Sequence, residues 1–431
     1  MPSTQPPSML KRQIGFVGAI ALGLGSIIGA GVFVSIGIAT GVAGSAVMIA
    51  IAISAGVAIC NGLNSAQLAA SHPVSGGSYE YGYRYLNPQL GFTAGWMFLL
   101  AKSASAATSA LGFAGYLLNV LGMDNGSLLV PIAVIAVIVL TFVVLGGIRR
   151  SNAVNIVIVS ITLLSLLFFV IFGFPIVLTN QFANFSPFLP NTDQPIQAIL
   201  QATALMFVAY TGYGRIATMG EEVQEPQRTI PRAIVVTLGL TMALYLSVAL
   251  VGIGVVGADV LGNVTSNQVA PLEVAAQSFG TPGSGLILAV GAMTATLGVL
   301  LNLILGLSRV LFAMGRRRDM PAIVARLDRS GTSPNIAIAV MGSAIALLVL
   351  IGDVRITWSF SAFSVLVYYA ITNFAALRVP ERDRLYPKWI AWIGLIACLF
   401  LAFWVDRQIW MIGLGLIGIG LVWQIVLQKA E

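Results

Sequence analysis

Histidine occurs once in the 431 residues and cysteine twice. A disulfide framework or a Cys/His metal site needs several such residues at short spacings. Cys60 and Cys398 instead lie far apart inside apolar runs, and His72 sits beside Pro73. Charge is equally thin: 9% of residues are charged against 58% hydrophobic, and the mean hydropathy is +0.94. A water-soluble globule could not cover itself with so few polar groups. An enzyme working within the apolar runs would need clustered His, Asp, Glu or Cys, which the runs lack. A channel would need a polar stripe along the full length of a run, and none shows one. The composition points to a polytopic, all-α membrane protein that is not an enzyme, with no cofactor and no metal.

Apolar runs of roughly 18 residues or more, enough for a helix to cross the hydrocarbon, number about twelve. They lie near 14–38, 42–67, 89–121, 127–148, 152–177, 195–220, 231–256, 283–314, 335–352, 355–377, 388–405 and 408–428. The segments between them are too short for a soluble domain, so residues 1–431 read as one membrane transport domain. The first run is too long, and lacks the cleavage signal, to be a signal peptide.

Basic residues set the orientation. With the N terminus inside, the even-numbered turns carry Arg84, Arg149, Arg150, Arg228, Arg232, Arg316 to Arg318, Arg326, Arg329, Arg378, Arg382, Arg384 and Lys388. Lys11, Arg12 and Lys429 at the ends join them, whereas the opposite face holds only Arg355 and Arg407. Both termini are expected to be cytoplasmic by the positive-inside rule. The net charge of +7 is thus topological and implies no nucleic acid.

The stretch LGSIIGAGVF, residues 24–33, puts Gly25, Gly29 and Gly31 in the middle of the first run. In lipid every backbone N–H and C=O needs a partner, so a helix is interrupted only where protein or a water-filled cavity surrounds the break. A second half-helix starting near Gly29 would offer the free amides of Gly29, Ala30 and Gly31 at a positive dipole end. The first half would end in exposed carbonyls near Ser26 and Ile27. Taken alone, Gly25-x-x-x-Gly29 also fits a close helix-packing face. A second interrupted run, FVAYTGYG at 207–214, carries Gly212 and Gly214. Breaks in the first and sixth runs are where a five-plus-five repeat puts matching elements, and such pairs mark the midplane binding site of secondary transporters.

Five stretches carry a further resemblance: GSIIGAGVF (25–33), PVSGGSYEY (73–81), GEEVQEPQRTIPRAI (220–234), LILGLSRVLFAMGRRRDMP (303–321) and YYAITNFAALR (368–378). Their order resembles that of the signatures of the amino acid–polyamine–organocation (APC) superfamily of permeases. The resemblance implies an inverted-repeat transporter fold, with 14–177 and 195–377 as the two repeats, helices 1 and 6 broken, and 388–428 as two peripheral helices. It implies an amino acid or related amine as substrate; transport is expected across the plasma (inner) membrane, with a proton as the coupling ion on the strength of Lys102 below. An exchanger, a polyamine-type permease or a non-transporting amino acid sensor are the alternatives. By the family's pattern the α-carboxylate would meet the amides of Ala30 and Gly31 after Gly29, and the α-ammonium the carbonyls of Ile27, Val208 and Thr211. Tyr210 and Tyr213 flank the second break, while Val208 stands where the family often has an aromatic residue.

Few charges lie within the runs, and each is expensive there. Lys102, in LLAKSASAATSA, is the leading candidate for ion coupling. Relatives often carry a lysine in the fifth span, where this chain has Thr162 in VNIVIVSITLL. Both positions fall about 15 Å into their helices at 1.5 Å per residue, so the charge could have moved to a neighbouring helix at similar depth. A snorkelling or structural lysine is the competing reading. Arg215 could select an acidic substrate or lock the half-helix near Glu221 and Glu222, and Arg309 reads as an anchor.

Overall fold

The computed structural model describes residues 14–72, 76–123, 125–146, 152–214, 216, 223–328 and 333–429. Among these the chain is helical, with no strand beyond a single bridge between Ile14 and Val223. Eight helical stretches are long and apolar enough to cross a membrane, and Phe16–Ile27, Asn335–Val349 and Lys388–Ala402 are shorter apolar helices. This is a multi-pass membrane protein.

The first expected span is not one helix. It divides into α1 (Phe16–Ile27), α2 (Ala30–Phe33) and α3 (Ser35–Ala43). Gly44, at φ 57° and ψ −143°, then interrupts the chain in a conformation that favours glycine, and α4 (Val47–Ser71) follows. The short α5 (Ser78–Tyr85) precedes the long α6 (Pro88–Val120), α7 (Asn125–Leu145) and α8 (Asn152–Thr179). The expected span 195–220 is helical only as α9 (Pro195–Tyr210), followed by a tight turn at Thr211–Tyr213. Next comes α10 (Pro226–Val256). It begins five residues before the expected start because Pro231, which resembles a first-turn proline, lies inside it. The chain continues through α11 (Ala258–Asn267), α12 (Pro271–Gln277), α13 (Ser284–Arg316), α14 (Asn335–Val349), α15 (Val354–Leu377), α16 (Lys388–Ala402) and α17 (Arg407–Lys429).

α6 is the central element. Its run of Ala, Ser, Thr and Gly from Ala101 to Gly115 lets neighbours approach closely, and it packs against α15 and α13. Across the α6–α15 face, Ser105 and Ser361 hydroxyls lie 2.7 Å apart and those of Thr108 and Thr357 2.8 Å apart. The packing has a symmetry of exchange. Swapping α1 with α9, α4 with α10, α6 with α13, α7 with α14 and α8 with α15 turns packed pairs into packed pairs. Thus α6 on α15 becomes α13 on α8, α4 on α9 becomes α10 on α1, and α6 on α14 becomes α13 on α7.

Three of the sequence signatures meet at one end of the bundle. Gly76 and Gly77, both at positive φ, lead into α5, whose Tyr79 and Tyr83 hydroxyls donate to the Asp319 carboxylate at 2.5 and 2.7 Å. Arg317 donates to both oxygens of Glu80, at 2.9 and 2.7 Å, and Thr372 donates to Ser78 at 2.7 Å. Nearby, Asn64 Nδ2 donates to Asn373 Oδ1 and Asn373 Nδ2 to Asn61 Oδ1, each at 2.7 Å, tying α4 to α15. The Cys398 thiol on α16 donates to the same Asn61 oxygen at 3.3 Å, so both cysteines are free. Replacing Asn373→Ala leaves Asn64 Nδ2 with only the long contact to Ile390 O at 3.5 Å and Asn61 Oδ1 with only the Cys398 thiol. It should lower unfolding stability by about 1–2 kcal/mol, read as a lowered melting temperature of the purified protein.

Candidate functional site

The two glycine-marked stretches come together. α1 ends at Ile27, and Ile28 takes extended angles (φ −79°, ψ 110°) while its amide still bonds back to Leu24 O at 2.8 Å. The helix resumes when Gly29 O accepts from Val32 and Phe33, at 3.1 and 3.2 Å. The amides of Gly29, Ala30 and Gly31 thus fall in the orphan first turn of the new helix, and among the described residues they make no backbone hydrogen bond.

At the second stretch α9 closes at Tyr210, and the Thr211 amide bonds to Val208 O. Gly212 is where the two stretches touch backbone to backbone. A Cβ on Gly212 would sit 2.6 Å from Ile27 N and closer still to the Ser26 carbonyl. Gly31 faces Ala209 and the Tyr245 hydroxyl, each 3.0 Å from the position of an added Cβ.

Tyr245 of α10 was not singled out from the sequence. Fully buried, its hydroxyl lies 3.3 Å from Ile27 O and 3.1 Å from Ala209 O, on both stretches at once. The available signal was a hydroxyl-bearing aromatic within the apolar run LTMALYLSVAL, since a buried Tyr hydroxyl usually finds a partner.

Lys102 reaches the same place. Its ammonium donates to Thr211 Oγ1 at 2.8 Å, and that hydroxyl donates to Val208 O at 2.8 Å. The lysine therefore meets the second stretch. Thr162 is not brought to it. The Thr162 hydroxyl donates to Ile158 O on its own helix, its carbonyl accepts from Ser165, and Ser165 packs on Gly291 of α13.

Val208 is buried, with no aromatic at that position; the aromatic wall lies farther on. Tyr213 and Tyr368 flank Tyr369 with ring centroids 5.6 and 4.5 Å away, and Phe207 meets Tyr369 edge-on at 5.8 Å. Tyr210 instead turns to Ile51 O on α4, at 3.2 Å. Val208 O already accepts from Thr211, and Ile27 O lies within reach of Tyr245. An incoming ammonium would share these carbonyls through their second lone pairs. Arg215, Glu221 and Glu222 lie outside the described residues. Among the described residues no group of three His, Cys, Asp or Glu that could hold a metal occurs.

Residues 14–413 match the family model for amino acid permeases. The chain belongs to that family. An uncharacterized transporter of Mycobacterium tuberculosis is 38% identical over 414 residues, 96% of this chain and 91% of the relative. A branched-chain amino acid permease of Bacillus subtilis is 26% identical over 80% of this chain and 76% of its own length. A methylthioribose transporter of the same organism is 29% identical over 75% and 72%. These relatives are transporters and permeases rather than enzymes, and the permease is built from the membrane-crossing helices described above.

Gly212→Ala drives a methyl group into the Ser26 carbonyl, and Gly31→Val places a branched side chain against Ala209 and Tyr245. Both variants should reach the membrane in normal amount and lose uptake by at least about 100-fold, the scale expected of an angstrom-sized misplacement at a site. Normal uptake by either would remove the substrate site from this junction.

Proposed function

We propose that this permease is a secondary active transporter of an amino acid, working by alternating access around the junction of the two glycine-marked stretches and coupled to proton movement. In this reading it crosses the plasma membrane twelve times with both termini in the cytoplasm. Residues 14–177 and 195–377 form inverted repeats with broken first and sixth helices, and 388–428 lies at the periphery. The carrying observation is the contact of Ser26 and Ile27 with Gly212, beside the unpaired amides of Ala30 and Gly31. Donors for a carboxylate and acceptors for an ammonium stand together there, built from backbone and so indifferent to the side chain. The exchange symmetry of the packing supports the repeat, since α1 and α9, which bear the breaks, are exchanged by it.

The proton role falls to Lys102. Its hydroxyl partner Thr211 belongs to the interrupted stretch, whereas the lysine belongs to the central helix. A movement of one against the other separates the ammonium from its acceptor and changes how firmly the proton is held. This makes proton binding and the inward–outward equilibrium one linked system.

A second reading comes from the relatives. The one named for methylthioribose carries its name for a sugar thioether that has neither α-carboxylate nor ammonium. A thermal-shift screen of the purified protein against free amino acids, amines and methylthioribose separates the two, because a ligand of the folded form raises apparent stability. We expect stabilisation by a zwitterionic amino acid and little by its N-acetyl derivative or its amide. Equal stabilisation by the N-acetyl compound would show that the ammonium is not read.

Lys102→Met should abolish uptake driven by a pH gradient in proteoliposomes while keeping ligand-induced stabilisation and counterflow exchange. An unchanged pH dependence of uptake in the mutant would make the lysine structural. Uptake that needs sodium and ignores the proton gradient would remove proton coupling altogether.

A further inference from the structure

At the end of the bundle opposite the Asp319 cluster, the segment holding α11 and α12 is pressed onto α3 and α6. Glycines set the contact. Gly41 and Gly262 meet backbone to backbone, an added Cβ on Gly262 lying 2.6 Å from Gly41 Cα. One on Gly115 of α6 would lie 2.8 Å from Gln268 O, and one on Gly37 3.0 Å from Pro271 Cγ. Val269, between the two short helices, is held at φ 59°, a left-handed conformation costly for a β-branched residue. The segment is packed tightly over the outer end of α3.

Beneath it lies one carboxylate. Glu273 on α12 is 2% exposed. Its Oε2 makes no close hydrogen bond, and neither does Asn119 Nδ2 of α6, which lies near enough to the carboxylate to favour its charged form in part. Tyr116, one turn earlier, donates its hydroxyl to Phe33 O at 2.8 Å and lies against the Leu272 backbone. Among the described residues no cation of the elements packed around it faces the group. Lys102 on α6 lies 14 positions before Tyr116, about 21 Å along the helix. Arg228 and Arg232 of α10, and Arg309 and Arg316 of α13, belong to the far ends of their helices. α3 and α12 carry no other charge, Asp259 on α11 is exposed, and Asp124 lies outside the described residues.

We propose that Glu273 is a proton-binding site that closes this segment over the permease: the carboxylate takes up a proton as α11 and α12 pack down and loses it when they lift. The inference rests on the transporter reading above for its direction, with the segment on the extracellular side. Burial pushes the Glu273 carboxyl up from 4.5 to about 7, with Asn119 beside it opposing the shift in part, because burial disfavours the charged form. A carboxyl held higher in the closed form than in the open one favours closure at low pH. That support is lost as the pH rises through about 7, so an acidic exterior closes the segment.

Thr265→Cys, on the face of α11 that meets Gly37, reports opening through its labelling by a membrane-impermeant thiol reagent. Labelling is read at that peptide by mass spectrometry, so Cys60 and Cys398 do not interfere. The rate with Glu273 intact is divided by the rate in Glu273→Gln at the same pH, which cancels the reagent's own pH dependence. The ratio should rise about tenfold or more between pH 5.5 and pH 8, and Glu273→Leu in place of Glu273→Gln should give the same rise. A flat ratio with either neutral variant overturns the proposal. Infrared difference spectra give an independent reading: a protonated carboxyl band present at pH 5.5 and lost by pH 8 should be absent from Glu273→Gln, and its absence from the unmodified protein also overturns the proposal. Neither measurement involves transport, so a failure here is distinct from a failure of the substrate or coupling assignment.

Discussion

A backbone amide or carbonyl surrounded by hydrocarbon has to find its partner within the protein. The centre of this permease is arranged around that rule. At the first interruption the chain leaves three amides unpaired, and at the second it turns away from the helix after Tyr210. Both are sustained only because they are stacked against each other and wrapped by α4, α6, α10 and α15. Gly212 permits the contact, Tyr245 spans it, and Lys102 holds Thr211 from the side. Polar groups this costly to bury alone are inexpensive in company, and the small-residue face of α6 brings that company within reach.

The end of the bundle near Asp319 obeys a different logic. There the polar groups pair extensively: Arg317 with Glu80, the two tyrosines with Asp319, and three buried amide side chains with one another. This contrasts with the central junction and its unpaired amides. The opposite end falls between the two, closely packed by glycines but enclosing a carboxylate without a counter-charge.

Much of this was legible in the sequence, for physical reasons. The glycines at 25, 29, 31, 212 and 214 drew attention to both stretches, where helices end at Ile27 and Tyr210, but glycine alone is a weak signal, since Gly239 and Gly306 lie inside unbroken helices with open space beside them. The long helices followed from apolar length alone. The boundaries were less legible: Pro231 looked like a helix start, yet lies inside α10, and the apolar character of residues 14–38 concealed two separate ends. Partners were the least legible. Lys102 was visible as a lone charge, but its engagement with Thr211 depends on how α6 sits against α9, and the spacing of Lys102 to Thr162 along their own helices could not fix it. Tyr245 and Glu273 carried little local signal, since one tyrosine in an apolar run and one glutamate in a connecting segment are unremarkable until folding encloses them.

The Tyr245 hydroxyl stands within reach of two carbonyls, Ile27 O at 3.3 Å and Ala209 O at 3.1 Å, yet it has a single hydrogen to give. At any instant one of the two oxygens goes without it. The tyrosine is therefore a selector rather than a rivet: a rotation about one C–O bond moves the deficit from the first interrupted stretch to the second. A cationic group sharing either carbonyl would compete with the hydroxyl for that oxygen's electron density and bias the O–H bond towards the other. In the transport reading proposed above, arrival of cargo would then be felt as a change in the orientation of a single O–H bond.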